Sequence, residues 1–342
     1  MPALHDDPGT VKVTHQYGLG IHDTAADSDC LDPGWQRRQL LEYLDFAVEA
    51  EELGYDGLTL TEHHVPRISN PSPHLLLANV AARTNRIRLG TAITVLPLYN
   101  PVRVAEEAGM LDLLSDGRFE LGIGRGNPVE YEMVTGHSPA RSGPHFSESC
   151  ELLDKALTTG DFTFDGEFHR RPRPITVTPD ARSVPVWMAA QSDFSVDYAA
   201  GKGWNLLRNF GDNQTHRAAF DRYLRESDRA GYSRSGANFM VSQFVCLGAT
   251  ETEAEQSRER LLEVFSGLTR PTGPVTDSAA APHPPIVCGT PDQVLDTLQR
   301  TVIETGARRL MIEAISRDET RVFAKEVLPA LRAIPISGSD SR

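Results

Sequence analysis

Glu62, His63 and His64 stand together one residue after the short apolar run Gly57-Leu58-Thr59-Leu60. An imidazole titrates near neutrality, so either ring could give or take a proton in a reaction. Glu62 could fix the tautomer of a neighbouring ring. A solvated loop uses the same residue types, so spacing alone leaves both readings open. A second group lies in "FELGIGRGNP", where Gly122, Gly124 and Gly126 alternate and share one side of an extended segment. Glycine weakens a strand. Three on one side point either to a flat or bulky group approaching the backbone or to tight packing of the strands themselves. Arg125 carries a planar fork that pairs with phosphate, or with a surface acid. A third group, in "AAQSDFSVDYAA", puts Gln191, Ser192 and Ser195 at a helix start. Free main-chain amides and hydroxyls there cradle an anion, and serines there also act as plain caps. Arg125 and the cradle together would hold a phosphate monoester, and a phosphorylated aromatic cofactor is a coherent occupant. "GxGRG" is neither a P-loop nor a dinucleotide fingerprint.

The elements that must carry these groups alternate. Strand-like segments are Lys12 to His22, "YDGLTL", "RIRLGTAITVLP", "RFELGIGRG", "VPVWMAAQ", "WNLLRN", "NFMVSQFVCLG" and "RRLMIEA". Each precedes a segment with helical period, such as Trp35 to Gly54, where Leu40, Leu41, Leu44, Ala47, Val48 and Leu53 recur and Gly54 marks a stop. The strands carry continuous apolar runs, as buried parallel strands do. Eight βα units predict an α/β fold of the eightfold βα (TIM) barrel type in a single domain over residues 1–342. A doubly wound sheet would open with a glycine-rich phosphate turn, and none follows the first strand. In such a barrel, sites form at the carboxyl ends of strands, which is where all three groups fall. Two stretches break the alternation. Residues 162–183 read as a hairpin insertion. Residues 267–289, rich in Pro, Gly, Thr and Ala, read as a long loop, either disordered or a lid. The tail 336–342 reads as frayed.

Composition narrows the classes. The 342 residues carry 39% apolar side chains and a formal net charge of −13. That balance argues against nucleic acid as a main partner, since phosphate backbones need a basic surface. Cys30, Cys150, Cys246 and Cys288 lie far apart without a CxxC pair, so neither a zinc site nor a disulfide framework is expected. The first residues lack the basic start and apolar run of a signal peptide, and no apolar run reaches about 18 residues. A cytoplasmic protein without membrane or metal partners is the expectation.

Several segments together resemble the bacterial luciferase-like flavin monooxygenases. They are "EHH" after strand two, "RLGTAITVLPLYNPVRVAEEAGMLDLLSDGRFELGIGRG" through strands three and four, "VPVWMAAQS" at strand five, and "CGTPDQVLDTL" near the end. The resemblance runs from about Tyr17 to Ile334. It implies an eightfold βα barrel, often a homodimer. It also implies a site for reduced FMN supplied by a separate NAD(P)H:flavin reductase, or for a deazaflavin in a sister group. By the same resemblance His63 is the catalytic histidine, with His64 or Glu62 orienting it. Ala92-Ile93 falls where the family often has a cis peptide behind the flavin ring. Arg125, Gln191, Ser192 and Ser195 align with the flavin phosphate binders, and Asn209 and Phe210 with residues near the ring. Two departures stand out. Luciferase has a reactive cysteine where this chain has Gly124, and a glutamate of the phosphate site is replaced by Gln191. The implied activity is oxygenation of a small organic substrate (an aldehyde, a ketone or a natural-product intermediate) with O2 through a flavin peroxide adduct. Deazaflavin-dependent hydride transfer and a non-catalytic flavin-binding subunit are the alternatives.

Overall fold

A computed structural model describes residues 10–18, 32–64, 70–268 and 285–334. The strands are β1 (Lys12–Tyr17), β2 (Gly57–Leu60), β3 (Arg88–Thr91), β4 (Thr94–Val95), β5 (Phe119–Gly124), β6 (Phe162–Asp165), β7 (Arg170–Ile175), β8 (Val186–Ala189), β9 (Asn205–Arg208), β10 (Phe239–Leu247), β11 (Ile286–Gly289) and β12 (Arg309–Ala314). The helices are α1 (Pro33–Glu52), α2 (Pro73–Ala81), α3 (Pro101–Leu114), α4 (Pro128–Thr135), α5 (Ser142–Thr158), α6 (Asp193–Gly201), α7 (Asn213–Arg229), α8 (Glu251–Leu268), α9 (Pro291–Thr305), α10 (Arg317–Val322) and α11 (Leu328–Arg332). Helix starts follow a simple local rule. Asp32, Asn100 and Asn127 each cap a helix whose first residue is proline, accepting the main-chain N–H of Trp35, Val102 and Val129. The cap satisfies an orphan donor, and proline's missing N–H costs nothing at that position.

The strands pair in the order β10-β12-β1-β2-β3-β5-β8-β9, all parallel, and β9 returns to β10. The expected eight-stranded barrel is therefore closed. Outward-facing Val13, Leu58, Leu60, Leu89, Leu121 and Ile123 join the core with Phe46, Ala47, Leu77, Val104 and Ala108 of the helices. Inside the barrel, Trp187, Leu207, Met240 and Met311 form a separate cluster on which Ala92, Ile93 and Ala189 pack. The amino end is closed by charge. Glu120 lies between Arg88 (2.5 Å) and Arg309 (3.2 Å), and the Arg309 guanidinium sits 5.1 Å from the Trp187 ring centre. Burial alone would raise the Glu120 pKa, but the two arginines hold it below the usual carboxylate range.

Several expectations are refined. The first strand ends at Tyr17, and residues 19–22 of the expected strand lie outside the described residues. The third divides into β3 and β4 around a cis Ala92–Ile93 peptide and ends in a 3-10 turn, Leu96–Leu98. The insertion expected at 162–183 carries an antiparallel hairpin, β6 with β7. The stretch 267–289 is not a loop throughout. Its first residues finish α8, and Ile286–Gly289 forms β11, parallel to β10 with Phe244 opposite Ile286 and Leu247 opposite Gly289. The carboxyl half of β10 extends past β9, and its open edge gives the short run "IVC" a partner. Residues 269–284 and the tail lie outside the described residues.

Candidate active site

The loop after β2 is held from several sides. The Glu62 side chain is wholly buried. Its Oε2 accepts the main-chain N–H of Val95 at 3.0 Å, and its Oε1 lies 3.0 Å from His64 Nε2. His63 Nδ1 lies 3.1 Å from Glu130 Oε1, and the His64 main-chain N–H donates to Glu130 Oε2 at 3.0 Å. Asn70 staples the loop from below. Its main-chain N–H donates to the His63 carbonyl at 3.1 Å and its side-chain amide to the Thr61 carbonyl at 2.7 Å. The result is an asymmetric pair of rings, with His63 40% exposed and His64 18%. The hydrogen bond to Glu62 pushes the His64 pKa above that of an ordinary histidine, against the opposing effect of burial. At Glu130 burial favours the neutral acid. Contacts from His63 and the His64 amide outweigh it and keep the carboxyl below the ordinary range.

A second chain of polar groups runs behind the β3–β4 corner. Glu107 Oε2 lies 2.8 Å from His74 Nδ1, and His74 Nε2 lies 2.9 Å from Thr94 Oγ1. Thr94 donates to Thr91 Oγ1 at 3.0 Å, and Thr91 donates to the Gly122 carbonyl at 2.7 Å while accepting the Gly122 N–H at 3.0 Å. Thr91 and Thr94 thus bracket Ala92–Ile93 from the side away from the barrel interior. The alternating glycines face this corner. A β-carbon on Gly122 would overlap the Thr91 carbonyl, on Gly124 the Ile93 side chain, and on Gly126 the Val95 side chain. Gly126 also has φ of 72°, which favours glycine. Of the two readings left open for these glycines, close approach of neighbouring chain accounts for all three.

A cleft of about 580 Å3 opens at the carboxyl ends of β5, β8 and β9. Ile93, Gly124 and Arg125 line one side, Gln191, Ser192 and Ser195 a second, and Asn209 and Phe210 a third. Eight residues singled out for cofactor binding therefore meet in one space. Ala92 does not line it and packs instead on the interior cluster. Glu62, His63 and His64 do not line it either. They sit at the end of β2, joined to it through Val95 and through Glu130, which follows Gly126 by four residues. Phe146 and Cys150 of α5 and Tyr198 of α6 complete the wall.

The cleft's electrostatics are simple. Arg125 is exposed and makes no ion pair or hydrogen bond with any described residue. Among the described residues it is the one charged side chain lining the cleft. Opposite it, Ser192 and Ser195 close a capping box. The Ser195 N–H donates to Ser192 Oγ at 3.3 Å and the Ser192 N–H to Ser195 Oγ at 3.1 Å. The serines therefore act as caps, with their helix N-terminus at the cleft wall. The acid at that helix start, Asp193, pairs with Arg222 at 2.8 Å. The Gln191 amide donates to Asn209 Oδ1 at 2.5 Å and joins the ends of β8 and β9.

The sequence reading missed Glu130 and the Glu107–His74–Thr94–Thr91 chain. One local signal existed for Glu130: "NPVE" is a capped helix start with an acid at its third residue.

Comparison with known proteins bears on the family and the fold. A family model described as luciferase-like monooxygenase matches residues 25–309. The uncharacterized protein y4wF of Sinorhizobium fredii is 32% identical over 297 residues, 82% of this chain and 86% of that protein. The oxygenase component of flavin-dependent trigonelline monooxygenase from Acinetobacter baylyi is 32% identical over 180 residues, about half of each chain (51% and 50%). An F420-dependent glucose-6-phosphate dehydrogenase of Nocardia farcinica is 28% identical over 323 residues, 86% of this chain and 94% of that one. In fold, the crystal structure of monooxygenase RslO1 from Streptomyces bottropensis superposes with a TM-score of 0.78 at 22% identity, covering 93% of this chain and 99% of that one. No helix among the described residues is long and apolar enough to cross a membrane. With a closed βα barrel, a cleft at the carboxyl ends of its strands and a family match over most of its length, this chain belongs to the luciferase-like monooxygenase family and is an oxidoreductase of that family.

Proposed function

We propose that this chain is the oxygenating component of a two-component, FMN-dependent monooxygenase that uses O2 to oxidise a small organic substrate such as an aldehyde, a ketone or a natural-product intermediate. The observation that supports the choice of cofactor is Arg125, a cation with no partner among the described residues, facing a helix N-terminus across a cleft to which the described residues add no other charged side chain. One guanidinium and one helix start match a single phosphate monoester. The long acidic tail of a deazaflavin would call for more cations at the rim. Arg125, Ser192, Ser195 and the amides of the α6 start would hold the phosphate. Ile93 and Gly124, with Ala189 beside them, offer a flat apolar wall for the ring, and the Gln191–Asn209 amide pair would meet its polar edge.

Bound reduced flavin supplies two electrons and its reactivity toward dioxygen. The chain supplies the rest. His63, the more exposed ring, holds or moves a proton at Nε2. Glu62 and His64 anchor the loop that carries it. The walls of the cleft limit access of water. A separate NAD(P)H:flavin reductase would deliver the reduced flavin, a reading supported by the trigonelline relative's description as an oxygenase component. A homodimer is supported by the apolar surface of α2 and α3, where Leu75, Leu113 and Leu114 are 73%, 69% and 60% exposed. The test is anaerobic titration with reduced FMN and, separately, with reduced deazaflavin. Preferential binding of FMN that is weakened in Arg125→Ala supports the proposal. Preferential binding of deazaflavin redirects it to hydride transfer.

A further inference from the structure

Glu130 stands in an unusual place for an acid at the start of a helix. It is the third residue of α4, counted from Pro128 after the cap Asn127. An acid at that position commonly reaches back to the main-chain N–H of its own cap, closing a capping box. Glu130 instead reaches across to the loop after β2. One carboxylate oxygen meets the His63 ring at Nδ1 (3.1 Å) and the other takes the main-chain N–H of His64 (3.0 Å). The side chain is 6% exposed, so both contacts lie in a largely dry environment. The neighbouring acid repeats the pattern, since Glu62 meets the His64 ring with one oxygen and accepts the main-chain N–H of Val95 with the other. The two rings differ in what is left over. His64 points Nε2 at its acid and is mostly buried, whereas His63 points Nδ1 at its acid and leaves Nε2 without a hydrogen bond to any described residue.

We propose that Glu130 is the positioning residue of His63, fixing the Nδ1–H tautomer so that Nε2 is the nitrogen presented to the reaction. An ionised carboxylate only accepts. The His64 amide only donates, so it occupies one oxygen and cannot alter the polarity at the other. The ring must therefore bring its own proton to Glu130 through Nδ1, and Nε2 keeps its lone pair when the ring is neutral. A free histidine side chain prefers the opposite tautomer, with the proton on Nε2, so the environment must impose this one. Glu130 lies four residues beyond Gly126, on the segment that also carries Arg125. It therefore ties the arm at the cleft to the loop bearing His63. This inference rests on the proposed role of His63 as the proton-handling ring.

Glutamine is the informative replacement because it keeps the shape and removes one acceptor. If its oxygen faces the His64 amide, its NH2 faces His63 Nδ1 and demands the lone pair there, which moves the proton to Nε2. If it is turned round, two donors meet at the His64 amide. The experiment is a long-range 1H–15N correlation spectrum of the 15N-histidine-labelled chain without cofactor, at a pH where His63 is neutral. His63 signals are identified by their loss in His63→Gln. The expected wild-type result is a protonated Nδ1 and a bare Nε2, with the Nε2–H form gaining population in Glu130→Gln and in Glu130→Ala. A wild-type His63 carrying its proton on Nε2 would overturn the proposal, and that spectrum decides even if neither variant folds. An unchanged tautomer in a folded Glu130→Gln would overturn it too.

A second readout separates this inference from the functional reading. Reoxidation of protein-bound reduced FMN by O2 is compared in wild type, His63→Ala and Glu130→Gln. The expected result is that both variants keep their affinity for reduced FMN but change the rate in the same direction, by roughly 10²-fold or more if the proton step limits it. Rates unchanged in His63→Ala with the tautomers as expected would sink the role given to His63 and leave the positioning by Glu130 standing.

Discussion

Glu62 Oε2 accepts the main-chain N–H of Val95 at 3.0 Å, so the loop carrying both histidines is bound to the strand that follows Ala92–Ile93. The acid is wholly buried and its other oxygen meets His64. Replacing it leaves a buried N–H unpaired and a ring without its partner. Glu62→Ala should cost about 1–3 kcal/mol of stability per unsatisfied group, read by urea unfolding at neutral pH. A loss within the error of the measurement would mean that water or another group substitutes for the carboxylate.

The same pair makes a pH prediction. The His64 pKa is raised in the folded chain, chiefly by its hydrogen bond to Glu62. The folded state therefore binds the proton more tightly than the unfolded chain, whose histidine titrates near 6.5. The stability this adds is fully present below that value and disappears as pH climbs through the raised folded value. Glu62→Gln should flatten this part of the profile. Unfolding curves between pH 5.5 and 8.5, values chosen to span about a unit or more on either side of an ordinary histidine, provide the check.

Glu313 shifts in the same direction for a different reason, burial rather than a charged partner. It lies on β12 two residues beyond Met311 of the interior cluster, and Gln16 donates to its Oε2 at 3.1 Å while its Oε1 has no hydrogen-bond partner among the described residues. Burial pushes its pKa up to about 8. In the unfolded chain it ionises near 4.3, so folding binds a proton between those values. Stability from this site is greatest below the unfolded value and falls as pH rises toward 8. Glu313→Gln should be more stable than wild type at pH 8.5, chosen about half a unit above that value, with the advantage vanishing near pH 4. Equal stabilities at both pH values would show that the carboxyl is ionised in the fold at little cost.

Gly122 tests the packing of the corner. A methyl group there would strike the Thr91 carbonyl, a main-chain atom that cannot step aside. Gly122→Ala should fall at the upper end of the roughly 1–3 kcal/mol that overpacking costs, or fail to fold. Gly117→Ala offers a contrast, with open space around it but φ of 79°, so its cost is backbone strain alone. Thermal melts of the two variants separate crowding from strain.

The barrel was legible because continuous apolar strands and periodic helices are local signals, and eight repetitions leave few ways to fold. The strand Ile286–Gly289 was not, because three apolar residues after two prolines carry no periodicity and take their order from the free edge of β10. Gly124, Arg125, Gln191, Ser192 and Ser195 of the cleft were legible through their types at strand ends, whereas Ile93, Asn209 and Phe210 were expected only from the family resemblance. Glu130 was not, because its partners His63 and His64 lie 67 and 66 residues away and nothing local announces that an acid will leave its own helix cap. The glycines were half legible. Their alternation signalled a close approach, and only the structure identifies Thr91, Ile93 and Val95 as the approaching groups.

The most direct test of the central claim is an anaerobic titration of the chain with reduced FMN, followed by rapid mixing with O2. The account predicts saturable binding that weakens in Arg125→Ala, and reoxidation at a rate distinct from that of free reduced FMN. Failure to bind reduced FMN, or reoxidation indistinguishable from the free flavin at saturating protein, would contradict it.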